Sequence, residues 1–135
     1  PRGPSSITYP NVGSVRLPRD LAAISTMLAD RKPPAVVLDA WKQYLTRRVQ
    51  SRQPIDVQTT LQQVTGQTHA QLKARTDAAR KRLADKMNTL GDDAQLANVE
   101  MQNILQKQQQ TLQMMSNISK MMYDTATAVI RKIGG

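Results

Sequence analysis

The chain has 135 residues, and its 19 Lys and Arg against 10 Asp and Glu give it a net charge of +9. This length allows at most one ordinary domain. Aromatic residues make up only 3 % of the chain and Phe is absent, which excludes a core built mainly from aromatic side chains. The apolar residues, chiefly Leu, Val, Ile, Ala and Met, favour an all-α fold of long helices packed along their lengths.

Several kinds of functional site are excluded by residue types that the sequence lacks. There is no Cys, so disulfides, thiolate metal sites and thiol nucleophiles are impossible. His69 is the only histidine and the six Gly are scattered, which excludes a multi-histidine metal site and a phosphate-binding glycine loop. No apolar run approaches the ~18 residues of a transmembrane helix, and the first residues lack the apolar region of a cleavable signal peptide. We therefore expect no cofactor, no metal and no transmembrane helix.

Composition divides the chain into three segments. Residues 1–17 are rich in Pro, Gly and Ser, show no helical period and are predicted to be extended or flexible. Residues 18–53 are predicted to form a basic N-terminal pair of helices. Residues 54–135 are predicted to form a long helical hairpin with its turn near residues 91–93.

The N-terminal pair is predicted as a helix over 18–31, which Pro33 and Pro34 end, followed by a helix over 35–50. Trp41 lies on the apolar face of the second helix and is interpreted as part of the small core of this pair, with a surface anchor for another protein as the alternative. The two apolar faces consist of Leu21, Ile24 and Leu28 in the first helix and Val37, Ala40, Trp41, Tyr44 and Leu45 in the second.

The long hairpin is predicted to begin with Asp56, which can cap a helix that continues to about Leu90. Gly66 is a weak point in this helix, since Gly costs about 1 kcal/mol relative to Ala. Gly91-Asp92-Asp93 supplies a C-terminal glycine and capping carboxylates for the turn. The last helix is predicted over 94–132, about 55 Å long. The apolar stripe of the first of these helices is Leu61, Val64, Leu72, Ala79, Leu83, Met87 and Leu90.

The C-terminal helix carries apolar residues on more than one face. One heptad register runs through Met101, Leu105, Gln108, Leu112, Met115, Ser119, Met122, Ala126, Val129 and Ile133, and a second runs through Ile104, Thr111, Met114, Ile118, Met121, Thr125 and Ala128. A hairpin partner buries only one such stripe. Either the 18–53 helices cover the second stripe as part of a bundle core, or copies of the chain associate through it. The self-association hypothesis assigns the contacts to Leu112, Met115, Ile118, Met122, Ala126, Val129 and Ile133.

The end of the chain resembles a known family. The segment SNISKMMYDTATAVIRKI is similar to the C-terminal end of type III secretion needle subunits, with matching positions at Ser116, Asn117, Lys120, Asp124, Val129, Ile130 and Lys132. The upstream residues Leu96, Glu100, Gln102 and Leu105 fit the same pattern. The resemblance covers roughly residues 57–135. Needle subunits commonly have Pro in the turn and lack a segment like residues 1–53, so a related inner-rod or other filament subunit is the alternative within this machine.

The resemblance implies a function, partners and a location. It implies a secreted structural subunit at the bacterial cell surface that stacks helically into a hollow filament and forms a protein-export conduit. The implied partners are other copies of the chain, other secretion-system components and unfolded exported proteins in the lumen. The implied lumen or inter-subunit polar residues are Asn117, Lys120, Asp124, Arg131 and Lys132, and ordinary solvation of a helix surface is the alternative for each of them.

Two other functions were weighed against this one. The clusters Arg47-Arg48-Arg52 and Arg80-Lys81-Arg82 would suit a basic helical nucleic-acid-binding or scaffold protein that oligomerises through its C-terminal helix. No aromatic stacking platform accompanies these clusters, so nucleic acid is not the expected partner. No enzymatic activity is expected, since His69 has no neighbouring triad or acid–base partner in the sequence.

Overall fold

The computed structural model describes residues 17–90 and 94–134, without the side chains of residues 89, 90, 94, 133 and 134. The described residues form four α-helices and no strands, so the predicted all-α fold is confirmed. The predicted segment 1–17, except for Leu17, and the predicted turn at 91–93 lie outside the described residues. The helices are α1 (Arg19–Ala29), α2 (Pro34–Gln50), α3 (Val57–Leu90) and α4 (Ala94–Gly134).

The ends of α1 and α2 have the same backbone geometry. Each helix closes with a six-residue Schellman pattern, in which Lys32 N–H donates to Met27 O at 3.0 Å and Gln53 N–H donates to Arg48 O at 3.0 Å. The residue before each donor is an arginine with a positive φ, 58° at Arg31 and 56° at Arg52. A proline follows one position later in both cases, which prevents the helix from continuing.

Helix α3 begins where its capping residue predicts. The Asp56 carboxylate accepts a hydrogen bond from Thr59 N–H at 3.0 Å, and the Asp56 carbonyl accepts one from Thr60 N–H at 2.9 Å. The hydrogen bonds from Thr59 hold the pKa of the Asp56 carboxyl below its usual range. Gly66 does not interrupt the helix: it is buried within α3, where tertiary packing outweighs its low helix propensity.

The four helices form two hairpins that lie side by side and point the same way. Ser25 Oγ in α1 donates to Val64 O in α3 at 2.9 Å, and the Arg75 guanidinium, further along α3, donates to Ala29 O at 3.1 Å. Helix α1 therefore runs parallel to α3. Helix α2 packs on α4, and α3 packs antiparallel to α4. The short α1–α2 hairpin thus covers one end of the long α3–α4 hairpin.

The core lies between the two hairpins and contains the predicted apolar faces. Trp41 and Leu45 of α2 are fully buried there, beside Ile24 of α1 and Val64 of α3. The Trp41 ring stacks on Tyr44 with centroids 5.8 Å apart. Trp41 is therefore a core residue of the described chain, as the first interpretation predicted.

Beyond the short hairpin, α3 and α4 continue as a pair, which we call the distal hairpin (77–90 and 94–110). Leu83, Ala97 and Leu105 are buried in it, outside the core shared with α1 and α2. Lys86 Nζ and Glu100 Oε1 are 3.6 Å apart across it. Met87, predicted as part of the buried stripe, is 38 % exposed, because none of the other described helices reaches this part of the distal hairpin.

Candidate assembly surface on helix α4

The first heptad register of α4 is used inside the single chain. Met115, Ile118, Met122 and Ala126 are at most 5 % exposed and belong to the core with α1 and α2. The 18–53 helices therefore cover the first register and also Ile118 and part of Met114 in the second, on which the bundle alternative had placed them, while Met121 and Ala128 of the second register stay exposed. These four residues, predicted to contact other copies, stabilise the folded chain, and in this conformation no copy can reach them.

The remaining residues predicted for self-assembly lie at the edge of this core. Leu112 and Val129 are half-buried and pack against it. The side chain of Ile133 lies outside the described residues. An Asp at Met122 would place a charge in the core of one chain, so it would test folding before assembly.

The opposite side of α4 is open. Leu96 is 48 % exposed, Val99 49 % and Met121 42 %, and Ala128 is also exposed. Between them the outward positions are mainly amides, with a half-buried methionine and the exposed charged side chains of Lys107 and Asp124. We call this surface the outer α4 band, and it consists of Leu96, Val99, Asn103, Gln106, Gln110, Met114, Asn117, Met121 and Ala128.

The nine residues of the outer α4 band are uncharged, in contrast to the neighbouring helix, and Lys107 and Asp124 are the charged residues that lie beside them on the same side of α4. Residues 108–119 of α4 contain no charged side chain, whereas residues 73–86 of α3 contain six basic and two acidic ones. Part of that α3 charge is paired locally, as in the Lys73–Asp77 ion pair at 2.9 Å. The outward side of residues 108–119 is therefore a surface where like-charge repulsion between similarly charged molecules is weaker than along α3.

Most residues of the outer α4 band were absent from the predicted contact set. The predicted contacts lie on the most apolar stripe of α4, which the chain uses for its own core. The sequence pattern that indicates the outer α4 band is a second set of uncharged positions. Several of them are seven residues apart, and they lie on the side of α4 that faces away from the most apolar stripe.

The predicted polar residues of α4 are all exposed: Asn117 belongs to the outer α4 band, and Lys120, Asp124, Arg131 and Lys132 are accessible around the helix. Arg131 and Lys132 occupy the last turn, where positive charge is favourable. Their exposure fits either inter-subunit contact or solvation.

The basic clusters do not form one continuous surface. Arg47 bonds Asp20 at 3.3 Å and Arg48 donates to Pro54 O at 2.7 Å, so both arginines are held by partners within the chain. Successive residues of an α-helix are about 100° apart. Consecutive basic residues of α3, such as Lys81 and Arg82, therefore point in different directions.

No group of three or more His, Asp and Glu side chains that could hold a metal ion is present in the part of the chain that the structure describes. His69 is half-buried in α3, and burial lowers the pKa of its imidazole. An open groove of about 380 Å³ beside the α2–α3 connection is lined by Val49, Arg52, Ile55 and Ile130, among others. Within the described helices, none has the length and apolarity needed to cross a bilayer.

Comparison with known proteins gave no match: no family model, no curated protein and no solved structure is similar to this chain. Interpretation of the outer α4 band therefore depends on its own geometry and on the sequence resemblance at the C-terminus.

Proposed function

We propose that the chain is a structural subunit of a hollow secretion filament, of the type III needle or the related inner-rod kind, and that it self-assembles through α4. The observation that carries the proposal is the outer α4 band: uncharged apolar and amide side chains, most of them exposed, along α4 of a chain with a net charge of +9.

Charge explains why this surface suits other copies of the same chain. Two molecules that each carry +9 repel one another at any face where their Lys and Arg meet. The outer α4 band avoids that repulsion and offers Leu96, Val99 and Met121 as apolar contacts. Met adapts its shape to a neighbouring surface more readily than branched side chains do.

The dimensions of α4 fit a subunit of an extended assembly. Its 41 residues span about 60 Å at 1.5 Å per residue. The distal hairpin extends past α1 and α2, so no other helix of the described residues covers its two helices. Neighbouring copies would supply that cover.

The C-terminal resemblance supplies the rest of the proposal. A subunit of such a filament is secreted to the bacterial cell surface, contacts other secretion components and surrounds unfolded proteins in transit. In this proposal, Lys120, Arg131 and Lys132 face the lumen or a neighbouring copy.

The proposal is tested by a charge placed on the outer α4 band. We expect the purified chain to form regular tubes or rods in negative-stain microscopy and Met121→Asp to abolish them, because an unpaired carboxylate would be buried between copies. Ser116→Asp is the matched control, since Ser116 is also exposed on α4 but lies on a different side of the helix, and it should assemble normally.

Both variants should retain the helical content of the parent in circular dichroism, because neither position is in the core. A parent chain that stays a monodisperse monomer over a wide concentration range would overturn the proposal. Filaments that survive Met121→Asp would show that assembly uses another surface.

A further inference from the structure

A pocket of about 210 Å³ lies between the start of α1 and the end of α2. It is lined, among others, by Asp20, Tyr44, Arg47, Arg48, Ser51 and Gln53. None of its lining residues belongs to α4, so the pocket is separate from the outer α4 band. The two guanidinium groups and one carboxylate among them leave one positive charge in excess.

Arg48 has an incomplete set of hydrogen bonds for a partly buried charged side chain. Its Nη2 donates to Pro54 O at 2.7 Å, but its Nε–H is buried and has no hydrogen-bond partner among the described residues. Buried polar groups nearly always have a partner, and an unpaired one is a sign of a bound water or ion. Because Nε has lost its water without gaining an acceptor, the charge of this guanidinium is only partly compensated.

Arg47 is the second guanidinium of the pocket, and it already has an anionic partner. Asp20 Oδ2 is 3.3 Å from Arg47 Nη2, and Asp20 Oδ1 accepts a hydrogen bond from Leu21 N–H at 3.1 Å. The carboxylate is therefore offset within the chain, and Arg48 is left without an anion. The first turn of α1 and the last turn of α2 are helix ends of opposite sign, so the side chains decide the sign of the pocket.

We propose that this pocket binds a phosphate ion, which Arg47 and Arg48 hold between α1 and α2. The ion compensates the charge of Arg48 and accepts hydrogen bonds from the N–H groups that this guanidinium leaves unused. Guanidinium groups suit this task because their donors form a planar fork that matches the oxygens of phosphate. This site goes beyond the proposed function and does not depend on it.

The other lining residues supply hydrogen-bond donors from further directions. Ser51 contributes a hydroxyl and Gln53 a carboxamide. Burial raises the pKa of the Tyr44 hydroxyl, on which the nearby charges of Arg48 and Asp20 act in opposite directions, so the hydroxyl is protonated at neutral pH. The tetrahedral oxygens of phosphate accept from several sides, whereas the oxygens of a carboxylate lie in one plane. The arrangement therefore favours phosphate over a carboxylate.

Both arginines are held in place before the ion binds. Arg48 is held by Pro54 O and Arg47 by Asp20. Side chains that are already fixed lose less conformational entropy on binding. The basic residues of the Arg47-Arg48-Arg52 cluster thus suit one small anion in a pocket better than a long nucleic-acid backbone, because Arg52 does not line this pocket.

Phosphate binding is tested by the NMR signal of the Arg48 Nε–H group and by thermal unfolding. Inorganic phosphate is added at constant ionic strength, with NaCl making up the difference, and the spectrum of Arg48→Gln identifies the signal. We expect a saturable shift of this signal and a melting temperature above that in NaCl alone. Phosphate also stabilises proteins in general, because it is excluded from their surface. Arg48→Gln should lose the specific part of the rise, whereas Arg82→Gln, at an exposed arginine outside the pocket, should keep it.

A second pair of variants tests for a gain in affinity. Asp20→Asn removes the carboxylate that competes with phosphate for Arg47, so phosphate should bind several-fold more tightly. Asp39→Asn makes the same change of charge at an exposed position of α2 outside the pocket and should leave the affinity unchanged. A purely structural role for Asp20 predicts lower stability without any gain in affinity, and that result would contradict the proposal.

Four other outcomes overturn the proposal and identify what fails. An Arg48 Nε–H signal that does not respond to phosphate would show that water fills the pocket. A rise in melting temperature that persists in Arg48→Gln would show a general salt effect. Acetate binding more tightly than phosphate would assign the pocket to a carboxylate, and binding of phosphoserine alone would assign it to a phosphate group on a larger molecule. None of these readouts depends on filaments, so each failure leaves the proposed function untouched.

Discussion

Trp41 connects the two hairpins at the scale of a single residue. It is the only tryptophan, it is fully buried, and its Nε1–H donates to the Met122 carbonyl of α4 at 2.8 Å. A buried donor needs such a partner, and the stack on Tyr44 fixes the plane of the ring. The only indole of the chain therefore orients α2 against α4.

This contact predicts the effect of a conservative substitution. Trp41→Phe keeps an aromatic ring but removes the donor and part of the ring volume, so we expect the free energy of unfolding to fall by about 1–3 kcal/mol. Urea denaturation followed by circular dichroism measures the change. Tyr123→Phe, at a residue 51 % exposed, is the control and should change stability by less than about 0.5 kcal/mol. A Trp41→Phe variant as stable as the parent would mean that the hydrogen bond and ring volume contribute nothing.

At the scale of helices, the short hairpin is defined by how its two helices end. Arg31 and Arg52 both adopt the left-handed conformation that favours glycine, and both precede an X-Pro pair. The hydrogen bonds of the two Schellman patterns and the following proline hold the arginines in this conformation.

The strain at these helix ends is measurable. Arg52→Gly should raise the free energy of unfolding by up to about 1 kcal/mol, because Gly lacks the Cβ that opposes a positive φ. Ser51→Gly is the neighbouring control: Ser51 has φ −82°, so Gly there relieves no strain and should give no gain. The measurement is thermal unfolding of the parent and the two variants. Equal changes in melting temperature for Arg52→Gly and Ser51→Gly would contradict the prediction.

At the scale of the whole molecule, the net charge opposes the assembly that we propose through the outer α4 band. The net charge of +9 acts between copies at distances beyond the contact itself. Added salt shortens the range of this repulsion, from a Debye length of about 10 Å at 0.1 M to about 3 Å at 1 M.

Salt therefore distinguishes self-assembly from nucleic-acid binding. We expect added NaCl to lower, several-fold, the protein concentration at which light scattering detects assemblies, while Met121→Asp stays unassembled throughout. Assemblies held together by bound nucleic acid would instead dissolve as salt rises, because phosphate contacts weaken steeply with ionic strength. If assemblies of nuclease-treated protein also dissolve as salt rises, repulsion between the positively charged copies is not what limits assembly.

Most of the fold was predictable because its signals are local. The periodic apolar residues, the Asp56 cap and the prolines after α1 and α2 depend on neighbours a few residues away, and they placed the helices within about two residues of their observed bounds. The apolar faces of α1 and α2 followed from the same periodicity, and their buried members form the core. The continuity of α3 through Gly66 was less certain, since its stability comes from packing and not from propensity.

The sequence by itself determined that this chain is built from long helices, that it has no cysteine chemistry, and that α4 has more than one face suited to contact. Only the tertiary structure decided which face is available. Periodicity shows that Met122 and Met121 lie on adjoining registers, but it does not show which one α2 covers. That choice depends on the docking of Trp41 and its neighbours, residues some eighty positions away in the chain. Because α2 packs on the more apolar register, the outer α4 band remains exposed on the folded chain, and it is the surface that we propose for assembly.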